Sequence, residues 1–238
     1  MKKYIISYIV LFMFYCVNAQ KLIKIWETEA VFDTPESVLV DQKHKCIYVA
    51  NIGGNQPWAK DGNGFISKLT LDGKMIKKNW VSGLHAPKGM AIVDHTLYVA
   101  DVDRIVAIDM HKGMISTITP VLGSLNLNDI APFSKTEIIF SDSGGRSVYT
   151  MSKGNYTKII DSTFLKRPNG VLINANTSFV LDNDAVNVWK DGKLTKIVDG
   201  MPGGVDGIEP INANEYIVSC WSGTVYHVNV KEKTKKLL

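Results

Sequence analysis

The chain has 238 residues, with 27 lysines and arginines against 23 aspartates and glutamates. Without Lys2 and Lys3, which belong to the N-terminal segment described next, 25 basic and 23 acidic side chains remain. This excess is too small to predict a nucleic-acid or anionic-membrane partner. The five histidines show no ligand spacing and a Cys-x-x-Cys motif is absent, so zinc is not expected.

The N-terminus has the pattern of an export signal. Lys2 and Lys3 precede an apolar run over residues 4–17, and Ala19 stands before Gln20. A basic start, a hydrophobic stretch too short to span a bilayer comfortably and a small residue at the cut are typical of a cleaved signal peptide. We therefore predict a signal peptide over residues 1–19, a mature domain over residues 20–238 and a secreted or periplasmic protein that leaves the membrane after cleavage. An uncleaved membrane anchor is the alternative.

After this segment the sequence repeats itself with a period near forty residues, which is typical of propellers and solenoids. Each copy has a short strand pattern, a more apolar strand and two further alternating strands, separated by turn residues such as Asp72 and Gly73. Four antiparallel strands in one repeat form a blade of a β-propeller. The five repeats begin at residues 35, 87, 127, 168 and 205.

Residues 22–28 stand in front of these five repeats and resemble a fourth strand, such as residues 193–198. Propellers close their ring by pairing strands from both termini. The pattern therefore predicts an all-β propeller of the six-bladed type with an incomplete closing blade, namely five four-stranded blades and an N-terminal orphan strand. On this interpretation about forty residues of the closing blade are absent. A genuine five-bladed ring, with the N-terminal strand covering an edge, is the alternative.

Two further features of the repeats are informative. The first repeat is interrupted between its second and third strands by residues 53–63, and loops of this length are often functional. Trp58 in this loop and Trp221 in the last repeat could frame the channel mouth and stack on a sugar-like ring, although packing is the commoner use of such side chains. The second strands end in residues for which we predict hydrogen bonds between blades rather than catalysis: Asn51, Asp101, Asp142, Asp182 and Cys220. Cys46 and Cys220, within strand cores, are expected to be buried and free.

One position of the repeat brings polar side chains to a common axis. Inner strands run along the channel of a propeller, so equivalent positions at their starts face one another. The position holds Glu36, Lys88, Asn128, Asn169 and Asp206. Carboxylate and amide oxygens suit hard cations, so the convergence favours a divalent-cation site over the turn chemistry that explains any one of them alone. The Lys88 ammonium acts against this, because it could replace the cation or pair with Glu36 and Asp206.

The segments that carry three of these side chains resemble the metal-binding elements of a known family. Residues 34–38, 167–171 and 205–208 are similar to the three elements of the senescence-marker-protein, gluconolactonase and luciferin-regenerating-like family of six-bladed propellers. Second strands such as residues 98–101 are also similar to NHL-type repeats. The resemblance covers the whole mature chain.

The resemblance implies specific roles for the axial residues. Glu36, Asn169 and Asp206 would hold one divalent ion, which is Ca²⁺ or another cation such as Mg²⁺ or Mn²⁺. Asp206 would also act as the general base in lactone hydrolysis, and Asn128 would support the substrate. Lys88 is not part of the family's metal set, and we assign it with Asn128 to substrate binding.

These inferences favour a divalent-metal-dependent hydrolase of the lactonase type, acting as a monomer on a small lactone or ester of sugar-like character. In such an enzyme the ion polarises the carbonyl and lowers the pKa of a bound water, while a carboxylate removes its proton. The alternative is a non-catalytic secreted propeller that binds a carbohydrate or a protein partner. The side chain of Lys88 distinguishes these two functions. A salt bridge from Lys88 to Glu36 and Asp206 would neutralise the axial carboxylates, whereas an ammonium that points away would leave the metal site available.

Overall fold

A computed structural model of the protein describes residues 22–238. Twenty strands form five antiparallel sheets of four strands each, and in every sheet the strands follow one another in chain order. The first strand of each sheet packs beside the first strand of the next, so the sheets are arranged as the blades of a propeller. Within residues 22–238 there is no helix with the length and apolar character needed to cross a membrane.

We number the blades one to five in chain order, and in each the first strand is the inner one. Blade one comprises β1 (Pro35–Asp41), β2 (Cys46–Asn51), β3 (Gly64–Thr70) and β4 (Met75–Leu84). Blade two comprises β5 (Pro87–Val93), β6 (Thr96–Asp101), β7 (Arg104–Asp109) and β8 (Met114–Pro120). Blade three comprises β9 (Leu127–Pro132), β10 (Ile138–Asp142), β11 (Ser147–Ser152) and β12 (Asn155–Ile160). Blade four comprises β13 (Pro168–Asn174), β14 (Thr177–Asp182), β15 (Ala185–Lys190) and β16 (Lys193–Val198). Blade five comprises β17 (Val205–Pro210), β18 (Glu215–Cys220), β19 (Val225–Asn229) and β20 (Thr234–Leu237).

The prediction of a six-bladed type is wrong, because five four-stranded blades contain all the strands of the described chain. Residues 22–28, predicted as an orphan outer strand, form no strand. Trp26 instead lies against the turn between β3 and β4, where a side-chain carbon on Gly73 would come within 2.7 Å of the indole. An alternating apolar segment can lie on the surface of a sheet as readily as it can pair within one, and the sequence pattern is the same in both cases. The predicted signal peptide, residues 1–19, lies outside the described residues.

Consecutive blades are joined by hydrophobic clusters between their sheets. Tyr48 of blade one and Leu97 of blade two are fully buried in the first of these clusters. In blade three, Phe140 faces blade two while its neighbour Ile139 faces blade four, since successive side chains of a strand point to opposite sides. A middle strand that is buried on both faces needs apolar residues at every position, which explains the continuous apolar second strands of the repeat. Blades four and five share a cluster of the same kind.

Blades one and five, the first and last in chain order, are not joined in the way that consecutive blades are. None of the hydrophobic clusters found in residues 22–238 contains residues of both blades. The free face of blade one is covered in part by Phe32, which packs on Ile47 and Val49. On the inner strand of the same blade, Val38 and Val40 are 61% and 48% exposed. The channel is therefore open to solvent on this side.

The aspartates at the ends of the second strands hold the segments that link one blade to the next. The Asp101 carboxylate accepts hydrogen bonds from the backbone N–H groups of His85 and Ala86, at 2.9 Å each. Asp142 and Asp182 accept the corresponding pairs in the next two links. The prediction of hydrogen bonds between blades is thus confirmed for these three aspartates, whereas the Asn51 side chain bonds to Ser67 within blade one and to Asp33 before it. Cys46 and Cys220 are buried and free, also as predicted.

Replacing Asp142 by alanine should destabilise the protein by about 3 kcal/mol, because the N–H groups of Leu125 and Asn126 would lose a fully buried acceptor. Urea unfolding followed by circular dichroism measures this loss. Asp109→Ala is the matched control, since Asp109 also accepts two backbone N–H bonds but in an exposed turn, and it should cost less than about 1 kcal/mol. Equal losses in the two variants would contradict the anchoring role.

Candidate functional site

The inner strands line a cavity of about 700 Å³ that extends along the channel, from the starts of these strands to the turn after β1 at residues 42–44. The register of each inner strand against its neighbour shifts in the first residues, for example between Pro87 and Met90 and between Pro168 and Val171. Residues skipped by such a shift leave the ladder, so their side chains are free to turn away from the sheet. Four of the five predicted axial residues line the cavity: Glu36, Asn128, Asn169 and Asp206.

Asn169 and Asp206 are in direct contact across the boundary between blades four and five. Asn169 Nδ2 donates to Asp206 Oδ1 at 2.6 Å. Burial raises the pKa of the Asp206 carboxyl, and this hydrogen bond opposes the rise. The bond fixes the orientation of the amide, so that the Asn169 oxygen is available for another partner. Two of the predicted metal ligands are thus brought together by the structure.

Glu36 lies on the wall of the same cavity and is influenced by the charges around it. Desolvation by the surrounding protein raises the pKa of its carboxyl, and the Lys88 ammonium opposes this effect. The carboxylates of Asp206 and Asp129 raise the pKa of Glu36 further. Acidic groups that disfavour one another's charged form in this way create a site where a cation is electrostatically favoured.

Asn128 is held at the cavity wall by blade four. Its Nδ2 donates to Ser143 Oγ at 3.0 Å, and that hydroxyl donates to the backbone oxygen of Pro168. Asn128 therefore has a fixed side chain but no hydrogen bond to Asn169 or Asp206 in the described chain. This position is compatible with the predicted contact to a substrate and does not bring Asn128 into the Asn169–Asp206 pair.

Lys88 does not neutralise the acidic residues through a salt bridge. Its side-chain nitrogen is buried, has no hydrogen-bond partner and lies beyond 4.0 Å from every carboxylate oxygen of residues 22–238. The ammonium is placed 4.7 Å from the ring centroid of Trp58. It is thus beside the cavity rather than among its lining residues. Lys88 thus forms no salt bridge with Glu36 or Asp206, although its charge still lowers the pKa of Glu36.

Asp129 is a charged group of the site that the sequence analysis missed. Its Oδ2 accepts a hydrogen bond from the backbone N–H of Val171 at 2.8 Å, and a side-chain carbon on Gly89 would lie 2.3 Å from its Oδ1. Burial, supplemented by the charges of Asp206 and Glu209, raises the pKa of Asp129 to about 7 against the opposing effect of its backbone hydrogen bonds. The sequence repeats could have revealed Asp129. The position after the axial residue holds glycine in blades two, four and five and a carboxylate only in blade three.

The side chains at the axis include amides as well as carboxylates. No group of three or more His, Cys, Asp and Glu side chains arranged to hold a metal is found in the part of the chain that the structure describes. The set predicted from the sequence is of a different composition, because one of its three members is the amide of Asn169. Amide oxygens are ordinary ligands of calcium.

Comparison with known proteins identifies the architecture. No family model and no curated protein matches the sequence. Among solved structures, a chain of the nidogen/laminin complex is similar, with a TM-score of 0.70 and 16% identity over 85% of this chain and 78% of that one. The chain has a β-propeller fold.

Two further propellers are similar at comparable distance. The calcium-binding protein regucalcin from Agrobacterium tumefaciens has a TM-score of 0.63 and 16% identity, over 83% of this chain and 71% of that one. A catalytically inactive virginiamycin B lyase from Staphylococcus aureus, solved with quinupristin, has a TM-score of 0.61 and 12% identity, over 86% of this chain and 83% of that one. At these identities the likeness establishes the fold and leaves the site to be argued from this chain's own residues.

Without divalent ions, the free energy of unfolding should fall as the pH rises from about 4 to about 7. The unfolded chain releases the Asp129 proton near the ordinary pKa of 3.8, whereas the folded chain holds it up to about 7, so unfolding becomes more favourable across this window. Asp129→Asn keeps the acceptor for Val171 and removes the titration. Between about pH 4 and pH 7, the free energy of unfolding of the Asp129→Asn variant should fall by less than that of the parent protein, with a difference on the order of 2 kcal/mol.

Urea unfolding at several pH values in EDTA measures this difference. Asp191→Asn, at an exposed turn of blade four, is the control and should follow the parent protein. Parallel curves for Asp129→Asn and the parent would show that the buried carboxyl does not titrate as described.

Proposed function

We propose that the protein is a divalent-metal-dependent hydrolase of the lactonase type that acts on a small lactone or ester. Glu36, Asn169 and Asp206 hold one calcium ion, or another divalent cation such as Mg²⁺ or Mn²⁺. The observation that carries the proposal is the 2.6 Å contact between Asn169 and Asp206 in the cavity that Glu36 also lines. Glu36 of blade one and the Asn169–Asp206 pair of blades four and five line the same cavity, which supports a site built from these three side chains.

The donor set fits a hard cation on chemical grounds. Two carboxylates and an amide oxygen are ligands typical of calcium and magnesium. The pKa values of Glu36 and Asp206 are both raised, mainly by burial, so that a divalent charge between them would favour their ionised forms. Lys88 supports the same interpretation, because its ammonium forms no salt bridge with either group.

The residues around the ion have separate tasks in the proposed reaction. When bound, the cation would polarise the lactone carbonyl and make a water molecule more acidic. Asp206 removes a proton from the attacking water through the carboxylate oxygen that Asn169 does not engage, since Asn169 donates to Oδ1. The attack forms a new carbon–oxygen bond as the carbonyl π bond opens. When the carbonyl re-forms, the ring carbon–oxygen bond breaks and Asp206 passes its proton to the leaving alkoxide. Asn128, fixed by Ser143, orients the substrate.

The similar structures support a ligand site on a propeller of this kind, since one is described as a calcium-binding protein and another as a lyase. We also propose that the protein is a secreted or periplasmic monomer. The composition of residues 1–19 favours export, and a near-balanced charge favours a small sugar-like substrate over a nucleic acid or a membrane.

A non-catalytic propeller that binds a carbohydrate or a protein is the second candidate. One observation favours it: Trp221 is 84% exposed, and it follows β18 at the end of the propeller where the inner strands begin. Exposed tryptophan is a common contact residue for sugar rings and protein partners. The two candidates differ in whether the acidic cavity has a metal-dependent activity.

Calcium should raise the melting temperature of the purified protein by several degrees, because it binds the folded chain and has no assembled site in the unfolded one. Glu36→Gln should abolish most of this rise, since it removes a charged ligand with little change in shape. Glu232→Gln, on an exposed turn of blade five, is the control and should keep the full rise. A melting temperature of the parent protein that is independent of calcium, magnesium and manganese would refute the metal site.

Asp206→Asn should lower kcat for gluconolactone hydrolysis by a factor on the order of 10² to 10⁴, as expected for the loss of a general base. Asn128→Ala should act chiefly on KM, because it removes a substrate contact and leaves the base in place. Steady-state kinetics with calcium and with EDTA measure both effects. Unchanged hydrolysis in Asp206→Asn would show that the activity resides elsewhere.

A further inference from the structure

The Lys88 ammonium has an unmet requirement for hydrogen-bond acceptors. The residue is 2% exposed, and its nitrogen has no acceptor within residues 22–238. An ammonium carries three donors, and burying such a group without partners is costly. Lys158 also stands over an aromatic ring, that of Tyr149, but it lies on an exposed strand where water can supply acceptors. Of these two lysines, Lys88 is therefore the one that needs a hydrogen-bond acceptor from a ligand.

Trp58, in the loop between β2 and β3, covers the Lys88 ammonium. The base of the loop closes tightly, since a side-chain carbon on Gly53 would lie 2.3 Å from the backbone oxygen of Asn63. Farther along, Lys60 Nζ forms a salt bridge with Asp103 Oδ2 at 2.5 Å. In the other blades the second and third strands are joined by short turns. The arrangement of an indole over a buried ammonium is thus a specific feature of blade one.

Lys88 is also adjacent to the proposed metal ligands. Ser37 Oγ donates to the backbone oxygen of Lys88 at 2.7 Å, which ties the start of β5 to the residue after Glu36. The ammonium is close enough to lower the pKa of Glu36 while remaining outside salt-bridge distance. A ligand with one end at Glu36 could therefore present a second group to Lys88.

The carboxylate of Asp101 is close to Lys88 but does not serve as its acceptor. Its oxygens accept the N–H groups of His85 and Ala86 and the Nε–H of Arg104, at 2.8 to 3.0 Å. These bonds hold the link between blades one and two and compensate its charge with an arginine. Residues 22–238 therefore supply no free acceptor for Lys88.

We propose that Lys88 and Trp58 form a subsite for a carboxylate group, so that the preferred ligand is a sugar acid, and the preferred substrate a lactone with a second, acidic group. The substrate part of this statement rests on the proposed lactonase function, whereas the carboxylate subsite does not. A carboxylate supplies two oxygens for charge-assisted hydrogen bonds, and the indole offers an apolar face to the adjoining carbon chain. Because the nitrogen is covered, the carboxylate reaches it by displacing the Trp58 ring, which exchanges a cation–π contact for an ion pair.

The test compares two probes with the same carbon chain: glucarate, which has two carboxylates, and glucitol, which has none. Binding is measured by thermal shift and by isothermal calorimetry in EDTA, so that no metal contributes. The parent protein should bind glucarate about 10-fold or more tightly than glucitol. Lys88→Met should bring this ratio close to one, whereas Lys158→Met, the control that removes an exposed cation–π lysine, should keep it.

Each outcome decides the proposal. Equal binding of the two probes by the parent protein, or an unchanged preference in Lys88→Met, overturns it. If Lys88→Met does not fold, Lys88→Gln, which has a neutral polar end, replaces it. Failure of the lactonase proposal would instead appear as the absence of a calcium shift and of lactone hydrolysis, and neither result alters the preference measured in EDTA.

Discussion

The structure depends on one repeated interaction, the capture of three of the four interblade links by the aspartates that end the second strands of blades two, three and four. Asp101, Asp142 and Asp182 each accept two backbone N–H groups of the residues that precede an inner strand. This capture fixes where the inner strand begins, and the shift of register that follows releases the next side chain toward the axis. The scaffold therefore presents one side chain per blade whatever its chemistry, which allows a lysine to stand in the same position as a glutamate.

The chemistry of the cavity follows from charges that the scaffold holds close together. The carboxyl groups of Glu36, Asp129 and Asp206 all have raised pKa values, chiefly because protein atoms replace water around them. Lys88 opposes the rise at Glu36 but forms no salt bridge there, since its ammonium is turned toward Trp58. Acidic and basic groups are thus kept apart at the same end of the channel. Such a separation suits a ligand that has both a cation-binding oxygen and an anionic group.

Local periodicity was sufficient to predict the strands, the five repeats and the axial position, because each depends on residues close together in sequence. It failed for residues 22–28, whose alternation is that of an outer strand, because the packing of Trp26 on the turn at Gly73 is a contact between distant residues. Asp129 was missed for a similar reason. Its contacts with Gly89 and Val171 come from two neighbouring blades and depend on a register shift that no pattern within one repeat reveals. The orientation of Lys88 likewise depends on a loop from another blade.

The open side between blades one and five affects how molecules can reach the cavity. Exposed Val38 and Val40 border a lateral route, so exchange with solvent does not have to follow the propeller axis. A ligand longer than the channel is wide could lie across the cavity with an apolar tail in this slot. Among residues 22–238 the hydrophobic clusters connect the first and last blades through the three blades between them, so the slot width depends on four interblade angles. Small rotations at each interface would add up, and the cavity could adjust its breadth without breaking any single hydrophobic cluster.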